Sequence, residues 1–401
     1  MSPVGIDEFV RLAIEKNPRI AKATFAIDAA RGRYIQVGLY PNPELGATWD
    51  EIGDRTGPGG ILTIPRLTQQ IVTGHKLSLS QRVAATEVDR SSIAVMAERY
   101  AVIGTVRATY CETLALERRI EILGKLVQLA DEAVQYGKNL LENKQIARLD
   151  LLQLEVERER FRAEFEAAGR ELPSLGRKLA AAVGDPRLPI GQLRGSMEML
   201  PNYDPNATME TILATHPDLR IARIGVDRAQ AALRRAKVEP IPNFSLTAGY
   251  VRQYEFNSND FTIGFSMPLS LWNRNQGNIQ AAEAELGAAN FEVARVENDL
   301  TDRIATSFRI YSSAQTRAER YRMDILPRAE ETHDLSLKAF KGGQFEYLRV
   351  IQAQRAVAEA RLEYNKSLGE AWKAAADLSG LLLEESWLGP SSKSEPGKQP
   401  K

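Results

Sequence analysis

The sequence predicts a mainly α protein with a β part: long antiparallel coiled-coil helices and four β-strands per chain. Three observations predict it. An internal repeat runs the length of the chain, long proline-free stretches keep a helical apolar period, and two short segments replace that period with strict alternation.

The repeat sets the plan. Pro18 and Pro217, Pro41 and Pro240, and Pro43 and Pro242 all lie 199 residues apart, as do QIARLDLLQLE (145–155) and QFEYLRVIQAQ (344–354). Residues 1–183 form a first repeat: a helix over about 7–38, a β-hairpin at 44–70, and a helical hairpin at 74–183 with its tip near 143–148. A Pro- and Gly-rich linker, 184–206, leads to a second repeat at 207–383. There a helix precedes a β-hairpin at 243–271 and a helical hairpin at 277–383, with its tip near 342–347. The remainder, 384–401, reads as a disordered tail.

No proline interrupts 66–172. Ile120, Leu123, Val127, Ala130, Val134 and Leu141 follow a 3-4 spacing broken at Gly137, and Phe161, Phe165, Ala168, Leu172, Leu175 and Leu179 continue it on the return arm. In the second repeat Ala353, Val357, Ala360, Tyr364, Ala371, Ala374 and Leu378 do the same. Such a period puts one apolar seam on each helix, which a neighbour must cover. The segment 277–341 reads as a single long helix on the same grounds.

The strands break this period. Phe244, Leu246, Ala248 and Tyr250 alternate with small or polar residues; after a polar turn at 255–260, Phe261, Ile263, Phe265, Met267 and Leu269 do likewise. In the first repeat Leu45, Ala47 and Trp49 precede the loop 51–60 and then Ile61 to Gln70, interrupted by Pro65, so short strands are expected. Periodicity alone fits a hairpin packed on a soluble core equally well. Four strands cannot close a barrel, however, and open apolar-faced hairpins leave edges exposed. Three chains would supply 12 strands and close one.

Composition narrows the function classes. With 52 Lys+Arg against 52 Asp+Glu, the chain has no net charge and no case for a nucleic-acid partner. A single cysteine, Cys111, excludes an internal disulfide framework, and His75, His216 and His333 stand far apart. No run of 18 apolar residues exists for a membrane-crossing helix, a test to which β-barrel strands are not subject. There is no phosphate loop, no GxSxG elbow and no histidine placed as a base, so no enzyme, no cofactor and no metal site is expected. EVERERFRAEFEAAGRE (155–171) reads as a charge lattice on a helix face. Met197 and Met199 read as local packing, and Asn273, Asn275 and Asn278 as turn and cap residues. Trp49, Tyr250, Tyr254 and Trp272 are candidates for interfacial aromatic girdles, ordinary hairpin packing being the other reading. The opening MSPVGIDEF lacks a charged n-region and an apolar h-region, so for an exported protein the signal peptide is expected to be absent from this sequence.

From DEFVRLAIEKNPRI to the last helix near Leu383, the chain resembles the TolC-type outer-membrane efflux proteins. The likeness rests on the repeat, the NP and HP breaks, and the PNP and PIP entries to strands. FSMPLSLWNRNQGNIQAAEAE (265–285), with TGHKLSLSQRVAATE (73–87) as its counterpart, resembles the strand-to-helix signature of the heavy-metal branch, the CzcC/CusC-like channels. The resemblance implies a homotrimer with a 12-stranded membrane β-barrel in the outer-membrane lipid and an α-barrel tunnel extending into the periplasm. It also implies a periplasmic adaptor (membrane fusion) protein and an inner-membrane RND-type pump as partners, with heavy-metal cations as a candidate cargo. Adaptor-contacting tips would then be Asn143, Lys144 and Gln145 with Gly342, Gly343 and Gln344, the glycines allowing a tight reversal. Asp150, Gln153, Arg349 and Gln352, at equivalent repeat positions, would form a periplasmic aperture; a helix-start role for Asp150 and a solvated Arg349 is the competing reading. Gly74 and Gly277 mark the strand-to-helix junctions. Against the family pattern, no N-terminal lipid-acceptor cysteine is present and the acidic residues of the closed end are not reproduced. The rivals are the same channel serving drug efflux or type I secretion, and a soluble coiled-coil scaffold without a pore.

Overall fold

A computed structural model describes residues 4–53, 60–342 and 347–390. In chain order these form α1 (Ile6–Lys16), α2 (Pro18–Gln36), β1 (Glu44–Asp50), β2 (Ile61–Ile71), α3 (Lys76–Glu142) and α4 (Arg148–Val183). The second repeat follows with α5 (Pro205–Thr215), α6 (Pro217–Val238), β3 (Phe244–Gln253), β4 (Ser258–Ser266), α7 (Gln276–Arg320), α8 (Leu326–Lys341) and α9 (Tyr347–Leu381). The expected single helix at 7–38 is two helices. Asn17 is extended before Pro18, and His216 is extended before Pro217 at the equivalent place, because a proline ring disfavours helical geometry in the preceding residue.

The expected unbroken helix at 277–341 is also corrected. Between α7 and α8 lies a π turn, Tyr321–Ile325, and the Leu326 N–H donates to the Tyr321 carbonyl. Pro327 explains it: without an N–H, proline cannot continue the ordinary ladder, and a wider turn absorbs the mismatch.

The chain divides into two compact units. One comprises the described parts of 1–21, 97–216 and 298–401. Its core gathers Tyr110, Leu114, Leu179, Ile212, Trp372 and Leu378. Much of the predicted seam is buried there, including Leu123, Val134, Ala353, Ala360, Ala371 and Leu378. Past Gly137 the buried residue is Leu140 rather than Leu141, and Phe165 stays exposed. The linker is held against this core: Val4 and Leu193 form a parallel bridge, the Trp372 indole donates to the Met197 carbonyl at 2.7 Å, and the Tyr110 hydroxyl donates to the Arg194 carbonyl at 2.6 Å.

Residues 384–390, expected to open a disordered tail, are packed instead. Trp387 is buried with its ring 5.5 Å from that of Trp372. An indole offers enough apolar area to hold a segment that local polarity marks as loose. Residues 391–401 lie outside the described residues.

The second unit, 22–96 and 217–297, contains the sheet. Its order is β1-β2-β3-β4, antiparallel throughout, leaving β1 and β4 as edges. Despite Pro65, β2 is the longest strand at 11 residues, contrary to the expectation of short strands. Its register shifts against β3 between Thr63 and Arg66, a bulge that removes the need for a ladder donor at the proline. The turn before β4 is narrower than expected, since Ser258 already pairs with Gln253. At its other end β4 stops at Ser266, leaving Met267 and Leu269 beyond the strand because Pro268 cannot donate.

Candidate functional site

The sheet separates its side chains by chemistry. One face carries a cross-strand row of Leu45, Leu67, Ala248 and Ile263, then a row of Gln69, Leu246 and Phe265, with Tyr250 opposite Phe261. The Tyr250 and Phe261 rings meet edge to face at 5.7 Å, and those of Phe244 and Phe265 lie 5.4 Å apart. None of the described residues covers this face: Phe261 is 84% exposed and Ile263 85%. The opposite face is small and polar. Thr68 and Thr247 hydroxyls lie 3.2 Å apart, and Gly249 stands between Arg66 and Thr262. A Cβ at Gly249 would come within 2.6 Å of the Thr63 methyl, so this close approach requires glycine.

Aromatic rings mark both strand ends. Trp49 and Tyr254 lie 6.4 Å apart near the β3–β4 turn, and Trp272 follows the opposite end of β4. Tyr250, opposite Phe261, is the last apolar residue of its face on β3, since the next pair on that face is Arg252 with Asn259.

The junctions differ in how they turn. Gly74 (φ 65°) and His75 (φ 54°) are both left-handed between β2 and α3, and a Cβ at Gly74 would meet Ile241 at 3.1 Å. Gly277, by contrast, is already helical with open space around it. The left-handed residue at the second junction is Asn275 (φ 61°), whose amide group donates to the Ala236 carbonyl at 2.9 Å. Asn273 accepts from the Asn275 N–H, and Asn278 donates to the Asn275 side-chain oxygen. Asparagine replaces glycine there because its short polar side chain tolerates this geometry.

At the tip between α3 and α4, Lys144 is the left-handed residue (φ 60°). The Gln145 N–H donates to Leu140 at 2.8 Å, and the Asn143 side chain donates to Asn139 at 2.8 Å. Asp150 accepts from the Ala147 N–H at 3.0 Å, tying the start of α4. At the second tip Gly342 is right-handed (φ −80°), so the freedom expected of it is not used there. Gly343 and Gln344 lie outside the described residues. Gln153, Arg349 and Gln352 are exposed on the opening turns of α4 and α9.

One group escaped the sequence reading. Arg107 is buried and donates to the Ser379 hydroxyl and to the Glu384 and Glu385 carbonyls at 3.2, 2.9 and 3.1 Å, with Trp387 stacked at 5.2 Å. Burial draws its guanidinium down while Glu384 opposes the shift. Burial likewise raises the carboxyl of Glu384, against the pull of Arg107. A single charged residue within 100–111 was the available signal. Among the described residues no helix is long and apolar enough to cross a membrane, and no group of three or more His, Cys, Asp or Glu is placed to hold a metal.

Known proteins share this arrangement. Residues 208–382 match the family model for outer membrane efflux proteins. The second repeat thus carries the sequence pattern of outer membrane efflux proteins. It is 25% identical over 384 residues to the cobalt-zinc-cadmium resistance protein CzcC of Cupriavidus metallidurans, spanning 95% of this chain and 90% of that one. The outer membrane protein VceC of Vibrio cholerae superposes with a TM-score of 0.77 at 18% identity, covering 97% of both chains. CusC does so with a TM-score of 0.76 at 16% identity, covering 94% of this chain and 91% of that one. The chain thus has the fold of those two proteins, helical and β-strand parts together.

Proposed function

We propose that this chain is an outer-membrane efflux channel in which three copies join β1 of one to β4 of the next, closing a 12-stranded barrel in the outer membrane. The helices continue it into the periplasm as a passive exit duct. The uncovered apolar face of a sheet with two open edges carries this reading. Fully exposing an aliphatic or aromatic side chain forgoes about 1.5–3 kcal/mol, and this face exposes several. Lipid removes that cost only if both edges are paired, since a bilayer offers no water to unpaired backbone groups. Strands of 7 to 11 residues suit such a barrel.

The tips at Asn143–Gln145 and Gly342–Gln344 would meet a periplasmic adaptor protein joined to an RND-type inner-membrane pump. Asp150 and Arg349, with Gln153 and Gln352, would ring the aperture. The likeness to CzcC supports divalent metal cations as the cargo. Extraction from outer membranes in detergent and mass measurement of the oligomer tests the assembly. Three chains are expected; a monomer soluble without detergent would overturn it.

A further inference from the structure

A cleft of about 1090 Å³ opens in the sheet-bearing unit where helices meet strands. Arg33, Arg90, Arg228 and Arg235 line it from three helices, against only Glu87 and Glu239 among its described carboxylates. Asn273 and Asn278 add amide groups. The arginines are unevenly committed. Arg235 is held by Glu239 and by the Ser80 hydroxyl at 2.9 Å. Arg90 and Arg228 share Glu87 at 3.6 and 4.0 Å, beyond hydrogen-bond length, and Arg33 is exposed.

Apolar side chains flank this cationic cleft. Val37 and Ser270 line it, while their chain neighbours Ile35, Leu39 and Tyr40 on one side and Leu269, Leu271 and Trp272 on the other are exposed. Trp272 is 86% exposed. A small aqueous anion would need the arginines but not this apolar collar. A ligand with a phosphate and hydrocarbon tails uses both, since guanidinium matches phosphate oxygens and indole favours the membrane–water boundary. We propose that the cleft binds the headgroup of an anionic phospholipid, with the tails lying along the collar. The proposal rests on the sheet being embedded in the membrane. Basic pockets between helices at a membrane surface are suited to such headgroups.

The test is native mass spectrometry of the detergent-purified protein titrated with phosphatidylglycerol, phosphatidylethanolamine or inorganic phosphate. Phosphatidylglycerol should be retained in preference to the other two. Arg33→Gln with Arg228→Gln should lower that retention at least about tenfold, at roughly 1 kcal/mol per arginine, and leave phosphatidylethanolamine unchanged. Glu87→Gln, which frees two arginines, should raise it severalfold and decides the matter if the double variant misfolds. Unchanged retention in Glu87→Gln or in a folded double variant overturns the site, as does equal retention of inorganic phosphate. A wild-type protein that fractionates with outer membranes yet does not prefer phosphatidylglycerol overturns the site and leaves the barrel standing. One absent from membranes overturns both.

Discussion

Arg107 and Glu384 hold the C-terminal segment to its core by opposite compromises. Arg107 accepts desolvation in exchange for three hydrogen bonds and the Trp387 ring. Arg107→Met keeps much of the volume but leaves two carbonyls without their donor, and should cost about 2–4 kcal/mol in thermal unfolding. Glu384 is raised by burial, although Arg107 and the Tyr203 hydroxyl at 3.4 Å pull it down. A carboxyl raised on folding binds its proton more tightly in the native state. Its contribution is therefore full below the ordinary value of 4.5 and fades as pH rises through the higher native one. Wild type should lose stability relative to Glu384→Gln as pH increases across that interval. Parallel melting curves check the sign, and a constant difference between the two proteins would remove the argument.

The strands show how far local pattern reaches. Alternation from Phe244 to Tyr250 and from Phe261 to Phe265 is legible because side chains in a strand must point to opposite faces. The stop at Ser266 and the bulge near Pro65 were harder to place, since a proline is permitted wherever its missing donor is not needed. For the same reason Pro327 is absorbed by a π turn rather than ending the helix. Replacing Ile263 in the middle of the apolar row with arginine should destabilise the inserted sheet by about 2–4 kcal/mol. Thr262→Arg, on the opposite face, should not. Comparing heat-stable oligomer in membranes separates them; equal losses would place both residues in the same surroundings.

The proposed trimer would depend on complementarity between copies. The proposed aperture, in which Asp150 of one copy would face Arg349 of another, predicts that Arg349→Ala raises conductance of the closed channel in planar bilayers. An unchanged closed state would leave Asp150 as a helix-start residue alone, the role its bond to Ala147 already supplies. The tips are similarly divided: Lys144 carries the strained turn of the first, although the second tip, with its paired glycines, drew attention to backbone freedom.

Sequence by itself determined the 199-residue repeat, the apolar seams and the two-faced strands, because each follows from spacings of two to four residues or from direct self-comparison. Tertiary structure alone decided that the linker and residues 384–390 pack, that Asn275 rather than Gly277 makes a junction, and that four arginines converge on one cleft. These depend on partners distant along the chain. Arg107 and Glu384 stand 277 residues apart, and only packing brings them together.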